Sequence, residues 1–372
     1  MKVLHILPMD KLSGAEKLAL EICKNMKEYE PIVVCGGEEL RKCFVSNNIE
    51  SYSIEFDKVK FKNSIKGLKN IIRDNNVDIV HAHDNNASLK AYVAKKLYRL
   101  DVKVISHIHN CYPWLVGRNK NKIIDFILRR RYDYNIACGK LVYDFYTKNT
   151  NYVHEKNTVI LSNAIDVQAI SNSRISDLES IYNEFNIPRD KTILGFIGRL
   201  SEQKGIIPFV KEVAKNKDKF SDCKILLVGS GDQEEEVRKI IKSNNMEDLF
   251  ILIGYQDDVY KFYPTIDVFF LPSLYEGLPM VVLEAMAFNK PVISMNVGSI
   301  DEVIKDSYNG YVVDKGNYGK FIDKLSELKN SKELQIKYGI NGHQYVLKNY
   351  DINNYIDNLI KVYDKLFFKS IL

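Results

Sequence analysis

VFFLPSLYEGLPMVVLEAMA, residues 268–287, reads as one strand, one loop and one helix. The apolar run ending at Leu271-Pro272 fits a short strand buried on both faces. Glu276 and Gly277 then form a loop, and Pro279 suits a first helical turn, where a missing N–H costs nothing. The rest, through Ala287, is a helix carrying one carboxylate, Glu284. A strand that feeds a helix through a short loop is half of a βαβ unit, so its sheet is parallel and covered by helices.

The same alternation extends in both directions. Strands are expected at 192–198, 224–229, 249–254, 268–272, 291–295 and 310–313, with helices at 207–215, 233–243, 279–288 and 319–329. The first half repeats the scheme, with strands at 2–7, 31–35, 51–54, 78–82, 102–108, 134–138 and 158–161 and helices at 15–26, 64–74 and 87–98. Between the halves, residues 166–190 are polar, strand-poor and hold Pro188, which suits a connection between domains. The sequence therefore divides into a first domain over 1–166, a linker over 167–190 and a second domain over 191–349. The tail, 331–372, is helical, with Tyr355, Leu359, Val362, Tyr363 and Leu366 at helical spacing. Open α/β sheets bind ligands beyond the carboxyl ends of their strands. Two such domains are expected to face each other across a cleft, with the chemistry in the loops that follow the strands.

Length and composition agree with two globular domains. The chain has 372 residues, 45% hydrophobic and 27% charged, which excludes disordered and fibrous classes. No apolar run approaches the ~18 residues of a membrane-spanning helix. The opening MKVLHILPMD is too short for a signal peptide and reads as a first buried strand. Six scattered cysteines without a C-x-x-C pair fit reduced thiols in a cytosolic protein. Residues 1–165 hold 27 Lys and Arg against 18 Asp and Glu, whereas residues 166–372 hold 26 against 30. The basic first half is suited to an anionic partner such as a membrane, a nucleic acid or a phosphorylated substrate.

Several loops carry candidate chemistry. In GFIGRLSEQKG, residues 195–205, Arg199 and Lys204 follow a strand closely, and two cations there suit a diphosphate as well as they suit a solvated basic loop. The backbone N–H groups near Gly277, Leu278 and Met280 form a helix N-terminus suited to an anion. Glu276 and Glu284, eight residues apart, could both face the cleft and accept hydrogen bonds from a sugar diol. The same acids also fit a helix whose early carboxylates complement its dipole. Gly229-Ser230-Gly231 supplies a close-approach turn but lacks the third glycine of a dinucleotide fingerprint, since Glu234 stands there. His81 and His83, like His107 and His109, share one side of an extended segment, an arrangement that suits a strand-end pair better than a metal site.

Together, GRLSEQKG, EGLPMVVLEAMA and the SGAE after the first strand resemble the family-4 glycosyltransferases, retaining enzymes of the GT-B fold that use nucleotide-sugar donors. The likeness covers essentially the whole chain. It implies two Rossmann-like doubly wound domains, with a C-terminal helix, about 350–372, returning to the first. It gives Arg199 and Lys204 the donor diphosphate, Glu284 the nucleotide ribose, and Glu276 the hydroxyls of the transferred sugar, with the 277–280 backbone nearby. Gly254-Tyr255 would cradle the base, and His109 would contact the donor sugar. Ser13-Gly14-Ala15-Glu16 matches the family's glycine-rich loop near donor phosphate and acceptor, where two glycines are more usual. Asn163 and Asp166 match a segment that closes the first domain and read as structural or hinge residues. Asn289 stands where the family commonly has glycine, and Gly298-Ser299-Ile300-Asp301-Glu302 differs by one residue from the family's later segment.

No two aspartates are separated by one position, so the D-x-D that would hold a divalent metal on a diphosphate is missing. No cofactor and no metal are therefore expected. On the acceptor side, residues 114–133, WLVGRNKNKIIDFILRRRYD, interleave six cations with Trp114, Leu115, Ile123, Ile124, Phe126, Ile127 and Leu128. That pattern fits a basic amphipathic helix on an anionic bilayer, and equally a core-packing helix with a solvated face. No nucleic-acid-binding module is recognisable. The expected protein is cytoplasmic, peripheral on the inner face of the membrane, and moves a hexose-type sugar from a UDP-sugar to a glycan or lipid-linked acceptor for a cell-surface polysaccharide. The alternatives are a nucleotide-sugar epimerase of the same fold and an inactive glycosyltransferase-like subunit.

Overall fold

A computed structural model describes residues 1–56, 60–117, 119–172 and 178–368. It divides into two units. One holds Met1–Ala164 together with the chain from Ile352 on, and the other holds Ile165–Asp351.

The first unit is built on seven parallel strands: β1 (Lys2–Leu7), β2 (Glu30–Cys35), β3 (Glu50–Ser53), β4 (Ile79–His83), β5 (Lys103–Ile108), β6 (Tyr134–Ala137) and β7 (Thr158–Ile160). Their order across the sheet is β3-β2-β1-β4-β5-β6-β7. Helices cover the sheet, which is why β1, β4 and β5 are buried at nearly every position. The helix Ile352–Phe368 completes this unit, since Ile352, Tyr355, Leu359 and Tyr363 are buried against Val3, Ile22, Ile79 and Ile136.

Five of the chain's seven histidines also lie in this unit's interior, on one side of β1, β4 and β5 and just beyond them. Parallel register sets His5 opposite His81 and His83 opposite His107. Burial lowers the pKa of His5 and of half-buried His109 to about 4 and holds His81, His83 and His107 well below the ordinary 6.5.

Six parallel strands form the second unit: β8 (Thr192–Ile197), β9 (Cys223–Val228), β10 (Phe250–Gly254), β11 (Val268–Leu271), β12 (Val292–Asn296) and β13 (Gly310–Asp314). They are ordered β10-β9-β8-β11-β12-β13. The stretch read from sequence as a linker packs on this unit instead. Its helices Val167–Asn172 and Leu178–Glu184 bury Val167, Ile170 and Ile181, and Ile187 joins the same core. Val167 and Ile170, three apart, share one face of the first helix, and burial of these few aliphatics outweighs the polar composition around them. Residues 173–177 of that stretch lie outside the described residues.

Backbone meets backbone where the loops leave the carboxyl ends of the second sheet. A Cβ on Gly229, whose φ is +130°, would stand 2.1 Å from the Gly198 carbonyl oxygen. One on Gly298, φ +62°, would stand 2.3 Å from the Gly277 oxygen and 2.4 Å from that of Glu276. Only glycine permits both the conformation and the approach. Ser299 N–H then donates to the Gly277 carbonyl at 2.9 Å, which ties the loop after β12 to the loop after β11.

Two outcomes follow from this packing. Gly298→Ala should destabilise the second unit by about 2–4 kcal/mol in urea denaturation, and an unchanged midpoint would refute the close-packing argument. The buried histidines refuse protons that the unfolded chain accepts near pH 6.5. Their contribution to stability is therefore complete above that pH and declines as the pH falls toward 4, by up to about 1.4 kcal/mol per pH unit for each group. Thermal melts between pH 7.5 and 5 should show a falling midpoint, and the fall should be shallower in His5→Phe.

Candidate active site

The second sheet changes direction between β8 and β11. The connection after β8 runs to β9 on one side, while that after β11 runs to β12 on the other. Such a reversal leaves a crevice beyond the strand ends, where ligands of doubly wound sheets bind. Lys204 ends the short 3-10 turn Glu202–Lys204 that follows β8, and Glu276 lies in the loop after β11. Their side chains meet there, Lys204 Nζ to Glu276 Oε1 at 2.7 Å, 17% and 6% exposed. Two further bonds fasten the same loops. Leu274 N–H donates to the Gln203 carbonyl at 2.8 Å, and the Gln203 amide donates to the Tyr275 carbonyl at 3.0 Å. Arg199 is exposed and pairs with no acid among the described residues. The sequence assigned Lys204 and Glu276 to different parts of a ligand. In the structure they hold each other.

Beside this pair begins the helix Met280–Ala287. Pro279 is its N-cap, one position earlier than the sequence suggested, with φ −74° and extended ψ. The N–H groups of Gly277, Leu278 and Met280 meet no acceptor among the described residues. A Cβ on Gly277 would meet nothing within 4 Å, so the backbone here is open to an approaching group. Leu278 and Met280 turn their side chains onto the core and leave their amides at the edge. Gly229 shapes the neighbouring loop after β9, and Tyr255, after β10, is 70% exposed.

Glu284, which the sequence reading allowed to face the cleft, lies on the helix Met280–Ala287 almost wholly buried. It is 1% exposed, and its two carboxylate oxygens accept hydrogen bonds from Tyr263 at 2.7 Å and Tyr260 at 3.3 Å. Burial, then the adjacent carboxylate, pushes the Tyr263 phenol far above its usual pKa of 10, so it remains a donor. Both tyrosines lie on the 3-10 turn Tyr260–Thr265, where residues three apart share a side. The sequence analysis missed them, although the Tyr-x-x-Tyr spacing was visible.

In the first unit, Gly14 opens the helix Gly14–Asn25, and space is free around its Cα. Ser13 Oγ donates to the buried Glu16 carboxylate, which orders the turn. His109 lies just past β5 and belongs to a chain of imidazoles. His5 Nδ1 meets His83 Nε2 at 3.0 Å, and His83 Nδ1 meets His109 Nε2 at 3.2 Å. A second chain links Tyr363 Oη to His81 Nδ1 at 2.7 Å and His81 Nε2 to His107 Nδ1 at 3.1 Å. His5, His81 and His83, and likewise His83, His107 and His109, bring one nitrogen each within 4.8 Å of the others. The facing nitrogens, 3.0–3.2 Å apart in pairs, are within hydrogen-bond distance of each other. Asn163 is buried and Asp166 caps the next helix through the Ala169 N–H at 2.7 Å.

The basic segment 114–133 is built inside out. In its helix, Lys120–Arg129, the polar residues Asp125 and Arg129 face inward. Arg129 is buried and donates to Asp125, Ser106, Asn135 and Asn85, while Tyr152 donates to Asp125 at 2.8 Å. Arg129 therefore drops out of the expected surface cations, and Arg118 lies outside the described residues. Exposed instead are Ile123, at 63%, with Val116, Ile124, Phe126 and Ile127, rimmed by Lys120, Arg130 and Arg131. No helix among the described residues is long and apolar enough to cross a membrane.

Comparison with known proteins bears on both units. Residues 12–169 match the model of Glycosyltransferase Family 4, and residues 178–345 match that of Glycosyl transferases group 1. The chain is 22% identical to UDP-Gal:alpha-D-GlcNAc-diphosphoundecaprenol alpha-1,3-galactosyltransferase of Escherichia coli, over 98% of this chain and 96% of that protein. Among solved structures, a glycosyltransferase from Rickettsia africae ESF-5 superposes with a TM-score of 0.85 at 21% identity, over 98% of both chains. Anabaena Alr3699/HepE in complex with UDP-glucose gives 0.84 at 17%, over 98% of this chain and 100% of the other. With two parallel doubly wound units, each matched by its own model, the chain belongs to glycosyltransferase family 4 and is a glycosyltransferase of the GT-B fold.

Proposed function

We propose that the protein is a retaining hexosyltransferase that takes its sugar from a UDP-sugar and gives it to a lipid-linked saccharide during the synthesis of a cell-surface polysaccharide. The observation that carries this reading is the Lys204–Glu276 pair at the sheet's reversal, beside an open helix N-terminus. A diphosphate arriving there meets Lys204, Arg199 and the N–H groups of Gly277, Leu278 and Met280, while Glu276 accepts from sugar hydroxyls. Glu284, oriented by Tyr260 and Tyr263, takes the ribose, and Tyr255 lies on the side of the base. His109 and Gly14 carry the first unit's share of the donor, as the family likeness implies. The HepE complex with UDP-glucose and the undecaprenol-linked substrate of the E. coli relative support the choice of donor and acceptor classes.

Departure of the nucleoside diphosphate breaks the bond from the anomeric carbon to phosphate oxygen, and the electron pair leaves with the phosphate. The acceptor hydroxyl adds to the same face, and its proton passes to the departing phosphate oxygen. Double displacement would need a carboxylate nucleophile. Glu276 is committed to Lys204 and to the sugar, so same-face attack is the simpler course. Lys204, Arg199 and the helix N-terminus supply the positive field that a divalent ion supplies elsewhere.

The exposed apolar face of the helix Lys120–Arg129, with cations at its rim and its own acid turned inward, suits the inner surface of an anionic membrane. That surface is where a lipid-linked acceptor would be met.

Three measurements test this reading. With UDP-hexoses and a polyprenyl-diphosphate saccharide, Glu276→Gln and Lys204→Gln should each lower turnover by at least about a hundredfold in protein that circular dichroism shows to be folded at the assay temperature. Near-normal turnover in either would reject the assignment. Transfer should persist in EDTA, and nucleotide release that required no acceptor would favour the epimerase. Vesicles containing a third phosphatidylglycerol should sediment the protein at low salt, and Ile123→Ser/Ile127→Ser should weaken this at least about tenfold. Equal binding by the double variant would sink the membrane assignment.

A further inference from the structure

We infer that His83, backed by His5, is a positioning residue that fixes the tautomer of His109, with the ring proton held on Nδ1. This rests on the reading that His109 serves the transferred sugar.

At neutral pH the three imidazoles His5, His83 and His109 are uncharged, and each carries one N–H and one bare nitrogen. Two N–H···N bonds join them, His5 Nδ1 with His83 Nε2 and His83 Nδ1 with His109 Nε2. Three protons and two bonds leave one proton over, and it must sit at an end of the chain. One end is His5 Nε2, which is buried and has no partner. The other is His109 Nδ1, on a half-buried side chain at the strand's carboxyl end. Among backbone groups a buried N–H without an acceptor is rarer than an under-satisfied carbonyl, and we apply the same preference to the buried His5 Nε2. The surplus proton therefore belongs to His109. His5 Nδ1–H donates to His83, and His83 Nδ1–H donates to His109 Nε2. Both choices propagate along the chain because a neutral imidazole that accepts at one nitrogen must donate from the other.

Packing holds this chain in one geometry. His81 stacks on His83 with ring centroids 4.4 Å apart, and His107 lies 4.0 Å from His109. Those two rings are anchored by the separate bond from His81 to Tyr363 on the C-terminal helix. The outward group of His109 is then a neutral N–H donor, suited to a sugar oxygen. The inward chain, and not the ligand, sets that polarity. His5 and His83 touch no substrate in this account. They act through His109.

Nitrogen-15 spectra of the full chain labelled at histidine test the assignment without any substrate. His109 is identified by the signal lost in His109→Gln. Its Nδ1 should be protonated and its Nε2 bare in the wild type. In His83→Phe, which keeps the ring but not the relay, both nitrogens of His109 should move toward the averaged shifts of exchanging tautomers. Sugar transfer should fall about tenfold in kcat with KM within about threefold. His83→Gln, whose amide both donates and accepts, should recover most of the loss. Protonation of His109 at Nε2 in the wild type would overturn the inference, as would a single retained tautomer in His83→Phe. If His83→Phe does not fold, the wild-type spectrum and His5→Phe decide, since His5→Phe removes the donor that orients His83. Full transfer by His109→Gln would instead remove the sugar assignment and leave the tautomer result standing.

Discussion

Parallel pairing is the constraint on which the rest of this molecule depends. When all strands of a sheet run one way, every strand-to-helix loop emerges on the same edge, and polar residues can be gathered there without entering the core. The second unit uses this edge for a lysine, an arginine, a carboxylate and a helix N-terminus. The first uses it for the end of an imidazole chain. In the second unit these residues flank the point where strand order reverses, β8 and β11, and in the first the imidazole chain runs from β1 across β4 to the end of β5. Glycines at 229 and 298 make the arrangement rigid, because backbone packed on backbone has no side chain that can yield.

The Lys204–Glu276 contact has two functions in tension. Without a donor it neutralises two largely buried charges, which would otherwise be costly to leave apart. In the function proposed above, the same lysine has a diphosphate to serve. Glu276 keeps the ammonium in position without a ligand, so little rearrangement is needed when one arrives. Glu284 illustrates a related economy. Its carboxylate is held by two phenols, so its orientation does not depend on the ligand.

Much of this was legible in the sequence, for definite reasons. All the expected strands form, because short aliphatic runs between amphipathic helices admit few other interpretations. The loops bearing Arg199, Lys204, Glu276 and Gly277 follow strand ends as read. What escaped depends on contacts distant in sequence. Tyr260 and Tyr263 bind Glu284 only because a 3-10 turn packs under the helix Met280–Ala287. His5 joins the other histidines through the register of β1 with β4, which no local pattern encodes. The helix Lys120–Arg129 was recognised as two-faced, but its periodicity does not tell which face points inward. That was decided by partners for Arg129 on other elements, Asn85, Ser106 and Asn135. The stretch 167–190 was taken as a connection because polar composition masked four aliphatic anchors.

The helix Ile352–Phe368 gives the chain an order of assembly. It supplies Leu359 and Tyr363 to an interior whose other walls are translated far earlier. At ribosomal speeds, the stretch from Ala164 to Ile352 takes about 10–40 s to synthesise. During that time the first sheet stands exposed where its last helix will lie, while Ile165–Asp351, contiguous in sequence, can close on its own. The half of the enzyme made first is thus the half finished last. A chain truncated before residue 352 would leave an apolar groove on the first unit, whereas Ile165–Asp351 would keep its whole core.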